Sequence, residues 1–453
     1  MVAHFSAREF LTDIYRGAIA ALHPAHAVRN ALDAVVRDAV ASESDRDSGV
    51  VLIAVGKAAT AMMQAARSWC DERGVALAGG LCVAHVPAPI DDARITSAVG
   101  DHPQPGDRSE RAAAQLASFV EANVTPQSRV FVLLSGGASA LIGAPCEGIA
   151  ARDYRDLTSA LLDSGLDINA MNAVRRRISR WGGGRLGDAL QSRGARSVVL
   201  AISDVIGDDL AAIGSGPCMP HAAGDSSAAA ALERAEIPDA LRRRWLQLLA
   251  ERSHRSALVD AEPIPHHIIS SNRVVADAIV RLVHTPDSDP DVRREDTPLR
   301  GDAHDWGAMI AQRLLGERAT MRHSDPPVSS RVICWGGEPT VVLPGPDAPA
   351  GGRMQALALR AAQVLHDAGA NARGITILAA GTDGRDGATD AAGAVVDCET
   401  WNTILASGRD PARDLAQFRS HDSLRAAHGL IPSFASGTNV NDVVIAMIEA
   451  SDR

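Results

Sequence analysis

The chain has 453 residues, 46% of them hydrophobic, which is enough for two or three domains with large buried cores. Its formal net charge of −10 argues against a general nucleic-acid or anionic-membrane partner, because those partners favour a basic surface. No apolar run approaches the about 18 residues that a membrane span needs. Six cysteines without a C-x-x-C pair favour reduced, buried thiols. These features predict a cytoplasmic enzyme that acts on a small molecule, and they leave the oligomeric state, including a homodimer, open.

The predicted elements begin with two helices and continue as strands that feed helices. Ser6 and Glu9 form a capping-box pattern ahead of the first helix, and a second helical stretch covers residues 27–40. The apolar run 50–55 then leads through Gly56 into a helix-forming segment, which is typical of a parallel strand followed by a helix. Four further apolar strands end in polar, glycine-rich turns, at residues 130–134, 197–202, 331–334 and 375–380.

This repeated pattern predicts an α/β fold with mainly parallel sheets. We place the domain boundary between residues 255 and 256, which gives domains of residues 1–255 and 256–453. Ligands of parallel α/β sheets bind beyond the carboxyl ends of the strands, where loops and helix N-termini converge. The glycine-rich turns are therefore the predicted location of a site. The polar segment 437–442 is expected to cap a final helix.

Lys57 follows the first predicted strand and is the only lysine in the sequence, since 44 of the 45 lysines and arginines are arginine. Arginine is planar and forked, whereas lysine is a compact point charge on a flexible stem. Because the chain uses arginine at every other such position, the lysine at position 57 indicates a site that needs a point cation. A solvated surface lysine is the alternative, and the spacing of a P-loop is absent.

The turn after the strand at 130–134 contains Ser135, Gly136, Gly137 and Ser139. Consecutive backbone N–H groups in such a turn can form an anion-binding nest, to which a following helix adds its positive end. The turn therefore suits a phosphate or a carboxylate. A tight strand-to-helix turn without a ligand is the alternative.

Two pairs of aspartates follow predicted strands, Asp204 with Asp208 and Asp383 with Asp386. Carboxylates at a strand end can hold Mg²⁺ together with phosphate oxygens, or accept a proton from a hydroxyl group. Aspartates in glycine-flanked turns also form Asx turns, so a local structural role stays open for each of them.

The remaining candidates are a cation and several polar or glycine positions beside predicted turns. Arg353 follows two glycines at a helix start and could bind a carboxylate through two hydrogen bonds. Candidate substrate or phosphate contacts are Asn272, Gly336, Gly337, Glu338 and Asn439. His102, in a proline-rich loop, is either catalytic or structural.

Taken together, these motifs resemble the class II glycerate 2-kinases, a family with a C-terminal MOFRL domain. The resemblance covers nearly the whole chain, and its carriers are Val55-Gly-Lys-Ala58, Asp101-His-Pro103, Leu134-Ser-Gly-Gly-Ala-Ser-Ala-Leu141, Asn172-Ala-Val-Arg175, Ser203-Asp204, Gly207-Asp208, Gly214-Ser-Gly-Pro217, Gly336-Gly-Glu-Pro-Thr340, Gly351-Gly-Arg353, Gly381-Thr-Asp-Gly384, Asp386-Gly387 and Gly437-Thr-Asn-Val-Asn-Asp442.

The resemblance implies a Rossmann-like N-terminal domain, a MOFRL-type C-terminal domain and an active site in the cleft between them. It implies transfer of the γ-phosphoryl group of ATP to the 2-hydroxyl of D-glycerate, or of a close 2-hydroxy acid, with Mg²⁺. The functional lysine and arginine of the family match Lys57 and Arg353, and Asp204 is the third expected catalytic group. Asp208, Asp383 and Asp386 are the expected metal ligands.

The chain departs from the family pattern at Met354 and Ala356, where Asn and Glu are usual, and at Gly182, where a lysine is usual. Two alternatives therefore stay open beside the kinase. One is an oxidoreductase acting on hydroxypyruvate, although no G-x-G-x-x-G fingerprint follows a strand. The other is a diverged protein that binds a sugar acid or nucleotide without turnover.

Overall fold

The computed structural model of the chain describes residues 6–39, 49–87, 89–220, 227–251, 262–284, 290–321, 328–343, 345, 349 and 351–450. The chain divides into two compact units. One is Pro24–Ile269, the Lys57 unit, and the other joins Met1–His23 to Ser270–Arg453, the Arg353 unit. The boundary predicted between residues 255 and 256 lies in 252–261, outside the described residues. The first helix belongs to the same unit as the C-terminal part of the chain. Local sequence patterns do not encode such long-range packing.

The Lys57 unit is built on a six-stranded sheet with the strand order β3-β2-β1-β4-β5-β6. All pairs from β3 to β5 are parallel, which confirms the Rossmann-like prediction. Its strands are β1 (Val50–Val55), β2 (Leu77–Ala84), β3 (Ile95–Val99), β4 (Arg129–Leu134), β5 (Arg196–Ile202) and β6 (His266–Ser270). Its helices are α2 (Pro24–Ala39), α3 (Ala59–Arg73), α4 (Asp107–Asn123), α5 (Ala138–Leu141), α6 (Ala151–Leu162), α7 (Ile168–Ile178), α8 (Arg185–Gln191), α9 (Ser227–Arg234) and α10 (Asp239–Glu251).

Burial explains why β1 forms the centre of this sheet. All six of its residues are buried, as expected for a strand covered on both faces. Its side chains on one face join α4 and α8 in a common hydrophobic core. Helices α6, α7, α9 and α10 form a second core around Tyr154 and Trp245. The Lys57 unit therefore has a rigid sheet whose strand ends can hold polar loops in fixed positions.

The Arg353 unit contains a second sheet, in which the strand order is β12-β11-β10-β13-β9-β7 and β8 also pairs with β9. Its strands are β7 (Asp291–Arg294), β8 (Leu299–Asp302), β9 (Ser330–Thr340), β10 (Ile375–Gly381), β11 (Ala391–Asp397), β12 (Leu430–Pro432) and β13 (Asp442–Glu449). Its helices are α1 (Ala7–Ala21), α11 (Asn272–Val283), α12 (Ala303–Met321), α13 (Arg353–Asp367), α14 (Thr400–Ala406), α15 (Pro411–Ala416) and α16 (Ser420–Ala426).

The α/β class is confirmed, but this second sheet is mixed rather than mainly parallel. Strand β13 runs antiparallel to both β9 and β10, because an apolar run does not reveal the direction of its neighbour. The segment 437–442 accordingly leads into β13 and not into the expected final helix. Since β9 and β10 flank the same antiparallel strand, they still point the same way. Their carboxyl ends share one edge of the sheet, as the site prediction requires.

Two properties of the described residues bear on the sequence predictions. None of the helices within them combines the length and the apolar character of a membrane span. The six cysteines are free, and all except Cys398 are buried. Burial raises the pKa of the Cys218 thiol to about 12, so this thiol is protonated and unreactive at neutral pH.

A buried arginine ties three elements of the Arg353 unit together. Arg331, on β9, pairs with Asp291 on β7 at 2.6 Å and with Glu317 on α12. The Arg331 side chain is only 7% exposed. Burial alone would raise the pKa of Asp291, but Arg331 and Arg293 hold it below its ordinary value. The ion pair is therefore part of the structure's stability above the acidic range.

We expect Arg331→Met to lower the free energy of unfolding by about 2 kcal/mol at pH 7, because it leaves two carboxylates without their shared cation. A carboxylate with a lowered folded pKa stabilises the fold above its unfolded pKa, and this contribution is lost as the pH falls through the folded value. The difference from the parent should therefore shrink below about pH 4. Urea unfolding across pH measures it, with exposed Arg373→Met as the control. A pH-independent difference would contradict the role of Asp291.

Candidate functional site

Lys57 lies where the strand order of the first sheet reverses, between β1 and β4. In parallel α/β sheets this point opens a crevice that binds ligands. The backbone N–H of Lys57 donates to the carbonyl of Gly136 at 2.9 Å, and the N–H of Ser135 donates to the carbonyl of Val55 at 3.0 Å. A Cβ on Gly56 would lie 2.0 Å from the Ser135 hydroxyl oxygen, so glycine is required for this approach. The Lys57 side chain is exposed.

The glycine-rich turn after β4 brings three polar side chains to one place. A Cβ on Gly136 would lie 2.0 Å from a carboxylate oxygen of Asp204. A Cβ on Gly137, whose φ is +85°, would lie 3.1 Å from His102 and 3.3 Å from the Lys57 stem. The predicted Lys57, Asp204 and turn therefore do converge at the end of β1, β4 and β5, as the sequence indicated.

His102 also faces this turn. The sequence left open whether its role is catalytic or structural. Burial lowers the pKa of its imidazole, and the charges of Lys57 and His85 lower it further. The ring is therefore held neutral beside a cation. A neutral imidazole can accept or donate a hydrogen bond to a ligand without adding charge.

A polar chain extends from the turn into the helical layer. The hydroxyl groups of Ser139 and Ser215 lie 2.8 Å apart, and the Ser215 hydroxyl donates to the amide oxygen of Asn172 at 3.5 Å. Ser215 has φ +60°, between two glycines that are also left-handed. Such backbone strain in a non-glycine residue is concentrated at functional sites. Sequence reasoning noted both motifs but did not select Asn172 or Ser215.

Asp208 is less closely associated with this group. It follows Gly207 in a turn, adopts φ +56° and is partly exposed. Its backbone N–H donates to the carbonyl of Val205 at 3.0 Å. Its place as a metal ligand stays a prediction.

In the other unit, Arg353 is held by two carboxylates. Its Nε donates to Asp442 at 2.6 Å and its Nη1 donates to Glu338 at 3.1 Å. Strand pairing sets this geometry, since Asp442 on β13 lies opposite Gly337 on β9. Burial raises the pKa of Asp442, and Arg353 opposes that rise. Burial would lower the pKa of Arg353, but Asp442 and Glu338 hold it above its ordinary value.

Asp386 is buried and caps the first turn of α13. Its two carboxylate oxygens accept from the backbone N–H groups of Met354, at 3.1 Å, and Gln355, at 2.8 Å. The Gln355 side chain donates to the same carboxylate at 3.0 Å and meets Nδ1 of His421 through its oxygen at 2.7 Å. Burial raises the pKa of Asp386, while these hydrogen bonds lower it. A carboxylate with both oxygens occupied in this way fits a helix cap better than the predicted metal ligand.

Asp383 differs from Asp386 because it is exposed. One of its oxygens accepts from the backbone N–H of Arg385 at 2.9 Å, in an Asx turn. Among the described residues, no group of three His, Cys, Asp or Glu side chains could hold a metal ion. A bound Mg²⁺ would therefore need phosphate oxygens as further ligands, which is its usual coordination in phosphoryl-transfer enzymes.

Asn272, Gly336 and Gly337 build the sheet edge. The Asn272 amide donates to the carbonyls of Val440 and Asp442, each at 2.9 Å, and its oxygen would lie 1.6 Å from a Cβ on Gly336. A Cβ on Gly337 would lie 2.3 Å from the backbone of Leu299. Both glycines lie within β9, so the glycine turn expected there is in fact strand. These contacts use the Asn272 amide for support rather than for a ligand.

Several predicted residues of this unit line one open cavity of about 600 Å³. They are Arg353, Asp383, Asp386 and Asn439. Asn439 is exposed, and its side-chain oxygen accepts from the N–H of Asn441 at 3.2 Å. Asp442 lines the same cavity, and its motif was recognised without its role as the partner of Arg353. A buried carboxylate opposite an arginine cannot be read from a sequence motif alone.

The three departures from the family pattern have local structural explanations. Met354 and Ala356 are fully buried in the core of the Arg353 unit. A Cβ on Gly182 would lie 3.3 Å from Ser179 and 3.5 Å from Ser215. At these positions the chain therefore has core contacts and a tight turn instead of polar side chains.

Comparisons with known proteins agree with this geometry. Residues 10–250 match the family described as Domain of unknown function (DUF4147), and residues 331–442 match the MOFRL family. A D-glycerate 2-kinase of Thermotoga maritima is 32% identical over 98% of this chain and 99% of that relative. A crystal structure of glycerate kinase from the same organism has a TM-score of 0.79 at 31% identity, and covers 97% of this chain and 99% of that chain. A relative from Agrobacterium vitis, provisionally named hydroxypyruvate reductase, is 32% identical over 88% of this chain and 99% of its own length.

We expect Asn272→Ala to destabilise the protein by about 1–3 kcal/mol, because it removes two hydrogen bonds from partly buried carbonyls. Thermal unfolding measures the change. Asn402→Ala, at an exposed position of α14, serves as the matched control and should be near neutral. A stable Asn272→Ala protein with weakened ligand binding would contradict the supporting role and restore the ligand contact.

Proposed function

Since this chain belongs to the DUF4147 and MOFRL family, which it shares with glycerate 2-kinases, we propose that it is itself a glycerate 2-kinase. It transfers the γ-phosphoryl group of ATP to the 2-hydroxyl group of D-glycerate or of a close 2-hydroxy acid. The observation that carries the proposal is the convergence of Lys57, Asp204 and the turn Ser135 to Ser139 at the switch point of the first sheet. A small anionic substrate needs a local cation and polar donors of this kind, and it does not need a basic protein surface.

Each polar group has a role that its surroundings support. Lys57 supplies a mobile point charge for a phosphate or carboxylate oxygen, since its side chain is exposed and its backbone is fixed. Arg353 is kept charged by Asp442 and Glu338, and it neutralises charge on the transferred group. Asp204 lies close enough to the turn to orient the attacking hydroxyl group or accept its proton.

ATP and Mg²⁺ follow from the proposed reaction. When bound, Mg²⁺ would supply positive charge that stabilises the transferred phosphoryl group. The residues that would fit this ion are Asp204 and Asp208 in the Lys57 unit or, as the alternative, Asp383 in the Arg353 unit, because they are partly or fully exposed carboxylates. Asp386 does not fit, since its oxygens cap α13. The cytoplasmic location and the oligomeric state stay predictions.

A hydroxypyruvate reductase is the alternative function, and two relatives from Agrobacterium vitis carry that provisional name. A reductase of this kind needs a nicotinamide cofactor. The turn after β1 reads Gly56-Lys57-Ala58, which lacks the glycine spacing that lets a pyrophosphate approach the helix N-terminus. The first sheet thus has the strand order of a dinucleotide-binding domain without its fingerprint.

A coupled ADP-release assay tests the kinase proposal. The purified full chain is supplied with ATP, Mg²⁺ and a panel of D-glycerate, L-glycerate and larger aldonic acids, and the product is examined by ³¹P and ¹H NMR. We expect ADP release with D-glycerate or a close 2-hydroxy acid and a phosphate ester on carbon 2. No ADP release with any acid, together with NAD(P)H oxidation on hydroxypyruvate, would replace the kinase by the reductase. No ADP release and no NAD(P)H oxidation would favour a diverged binding protein.

We expect Lys57→Arg to lower kcat/KM by at least about 100-fold while the melting temperature stays near that of the parent. The substitution keeps the charge but replaces a point cation by a wider, planar group, and loss of one preorganised charge contact costs about 10²–10³ in rate. Steady-state kinetics and thermal unfolding measure the two effects. The reverse exchange Arg234→Lys, at an exposed position of α9, controls for arginine and lysine exchange in general. A fully active Lys57→Arg enzyme would contradict the proposed role.

A further inference from the structure

Arg175, near the C-terminal end of α7, is partly buried but has no carboxylate partner among the described residues. Its one side-chain hydrogen bond there is a long one, from Nη1 to the amide oxygen of Asn172 at 3.5 Å. Burial lowers the pKa of this guanidinium, and the nearby Tyr154 hydroxyl opposes the effect only in part. A partly buried cation without a carboxylate partner is stabilised when a ligand supplies the negative charge.

Two neighbouring arginines donate hydrogen bonds to backbone carbonyls. Arg176, the next residue, donates to the carbonyl of Ala211 at 3.3 Å. Arg185 donates to four carbonyls, including those of Arg176 and Gly182 at 2.6 Å each. The Arg185 side chain is therefore satisfied by the fold itself. Arg175 differs from it, because the five donors of its guanidinium are almost unused within the described residues.

The position of Arg175 connects it to the candidate site. Asn172, its partner, lies one turn earlier on α7 and also accepts from the Ser215 hydroxyl at 3.5 Å. Ser215 in turn lies 2.8 Å from the hydroxyl of Ser139, in the turn that faces Lys57. The chain of Arg175, Asn172, Ser215 and Ser139 thus runs from the guanidinium to the glycine-rich turn. All four residues belong to the Lys57 unit.

We propose that Arg175 binds the carboxylate of the hydroxy-acid substrate, and that Ser139 and Ser215 lie beside the bound acid. A guanidinium can hold a carboxylate through two parallel hydrogen bonds, which fixes the orientation of the acid as well as its charge. The inference rests on the proposed kinase function, and it assigns to Lys57 the phosphoryl oxygens rather than the carboxylate. Arg175 is thereby a specificity-determining residue that favours 2-hydroxy acids over uncharged polyols.

Arg175→Met tests this assignment by separating substrate binding from stability. We expect the KM for D-glycerate to rise at least about tenfold, while the KM for ATP changes less than twofold. The preference of the enzyme for D-glycerate over D-glyceramide, the uncharged amide of the same acid, should fall by the same factor. The melting temperature should stay equal or rise, because the substitution removes a partly buried charge that has no carboxylate partner among the described residues. Arg175→Lys should restore part of the preference, since it returns the charge without the fork.

Arg234→Met, on the adjacent helix α9, is the matched control, because this arginine is exposed and makes no hydrogen bond or ion pair within the described residues. It should leave both KM values unchanged. An Arg175→Met enzyme with the parent's KM for D-glycerate, or with equal losses for D-glycerate, D-glyceramide and ATP, would overturn the inference. So would a large drop in the melting temperature without a change in substrate preference, which would indicate a structural arginine.

Calorimetric titration of the full chain with D-glycerate alone distinguishes this inference from the proposed function. If the parent binds D-glycerate without turnover and Arg175→Met does not bind it, the carboxylate contact stands and the kinase proposal fails. If the parent turns over D-glycerate and both proteins bind it equally, the kinase proposal stands and the carboxylate contact fails. Absence of D-glycerate binding in the parent overturns the carboxylate contact for this acid, and the ADP-release panel then decides the kinase proposal separately.

Discussion

The buried carboxylate of Asp386 fixes the start of α13, and the chemistry of the Arg353 unit depends on that contact. Its two oxygens accept the first N–H groups of the helix, so the direction of Arg353 at the helix start is set from a different loop. Gln355 extends the arrangement to His421. Because the carboxylate must accept from the amide nitrogen, the amide oxygen is directed at the histidine and selects its Nδ1–H tautomer. One buried charge thus orders a helix terminus, an arginine and an imidazole.

Close approach through glycine is the second constraint, and both units use it. A Cβ at Gly136 or at Gly352 would lie 2.0 Å from the carboxylate of Asp204 or of Asp386, respectively. The glycines therefore act first by letting an acidic side chain contact the backbone of a neighbouring loop. In the turn beside Lys57, the same glycines can also offer their backbone N–H groups to an anion. The glycines of β9 cannot do so, because they are paired with neighbouring strands within the sheet.

The sequence predicted the first sheet well because its signals are local: a fully buried strand, a glycine and a helix start within 20 residues. The same signals identified Lys57, Asp204 and the turn after β4, all at strand ends on one edge. They did not reveal the direction of β13, since an apolar strand reads the same in either direction. Local signals also gave the wrong role for Asn272 and Asp386, whose side chains form hydrogen bonds with backbone groups rather than with a ligand. The backbone groups that they contact lie far away in sequence. Arg175 lies in a motif that the sequence shows, but only the structure shows that its side chain is partly buried and has no carboxylate partner among the described residues.

The packing of α1 has a consequence for how the protein is made. This helix precedes the Lys57 unit in the sequence, but the elements that cover its apolar side, α11, β10 and β13, are among residues 272–449. The Lys57 unit lies between them in the chain and can fold as soon as it is complete. The ribosome therefore synthesises the whole Lys57 unit before the packing partners of α1, and α1 remains without them during that time. A truncated chain that lacks β13 would keep the Lys57 unit but would lose part of the surface on which α1 packs.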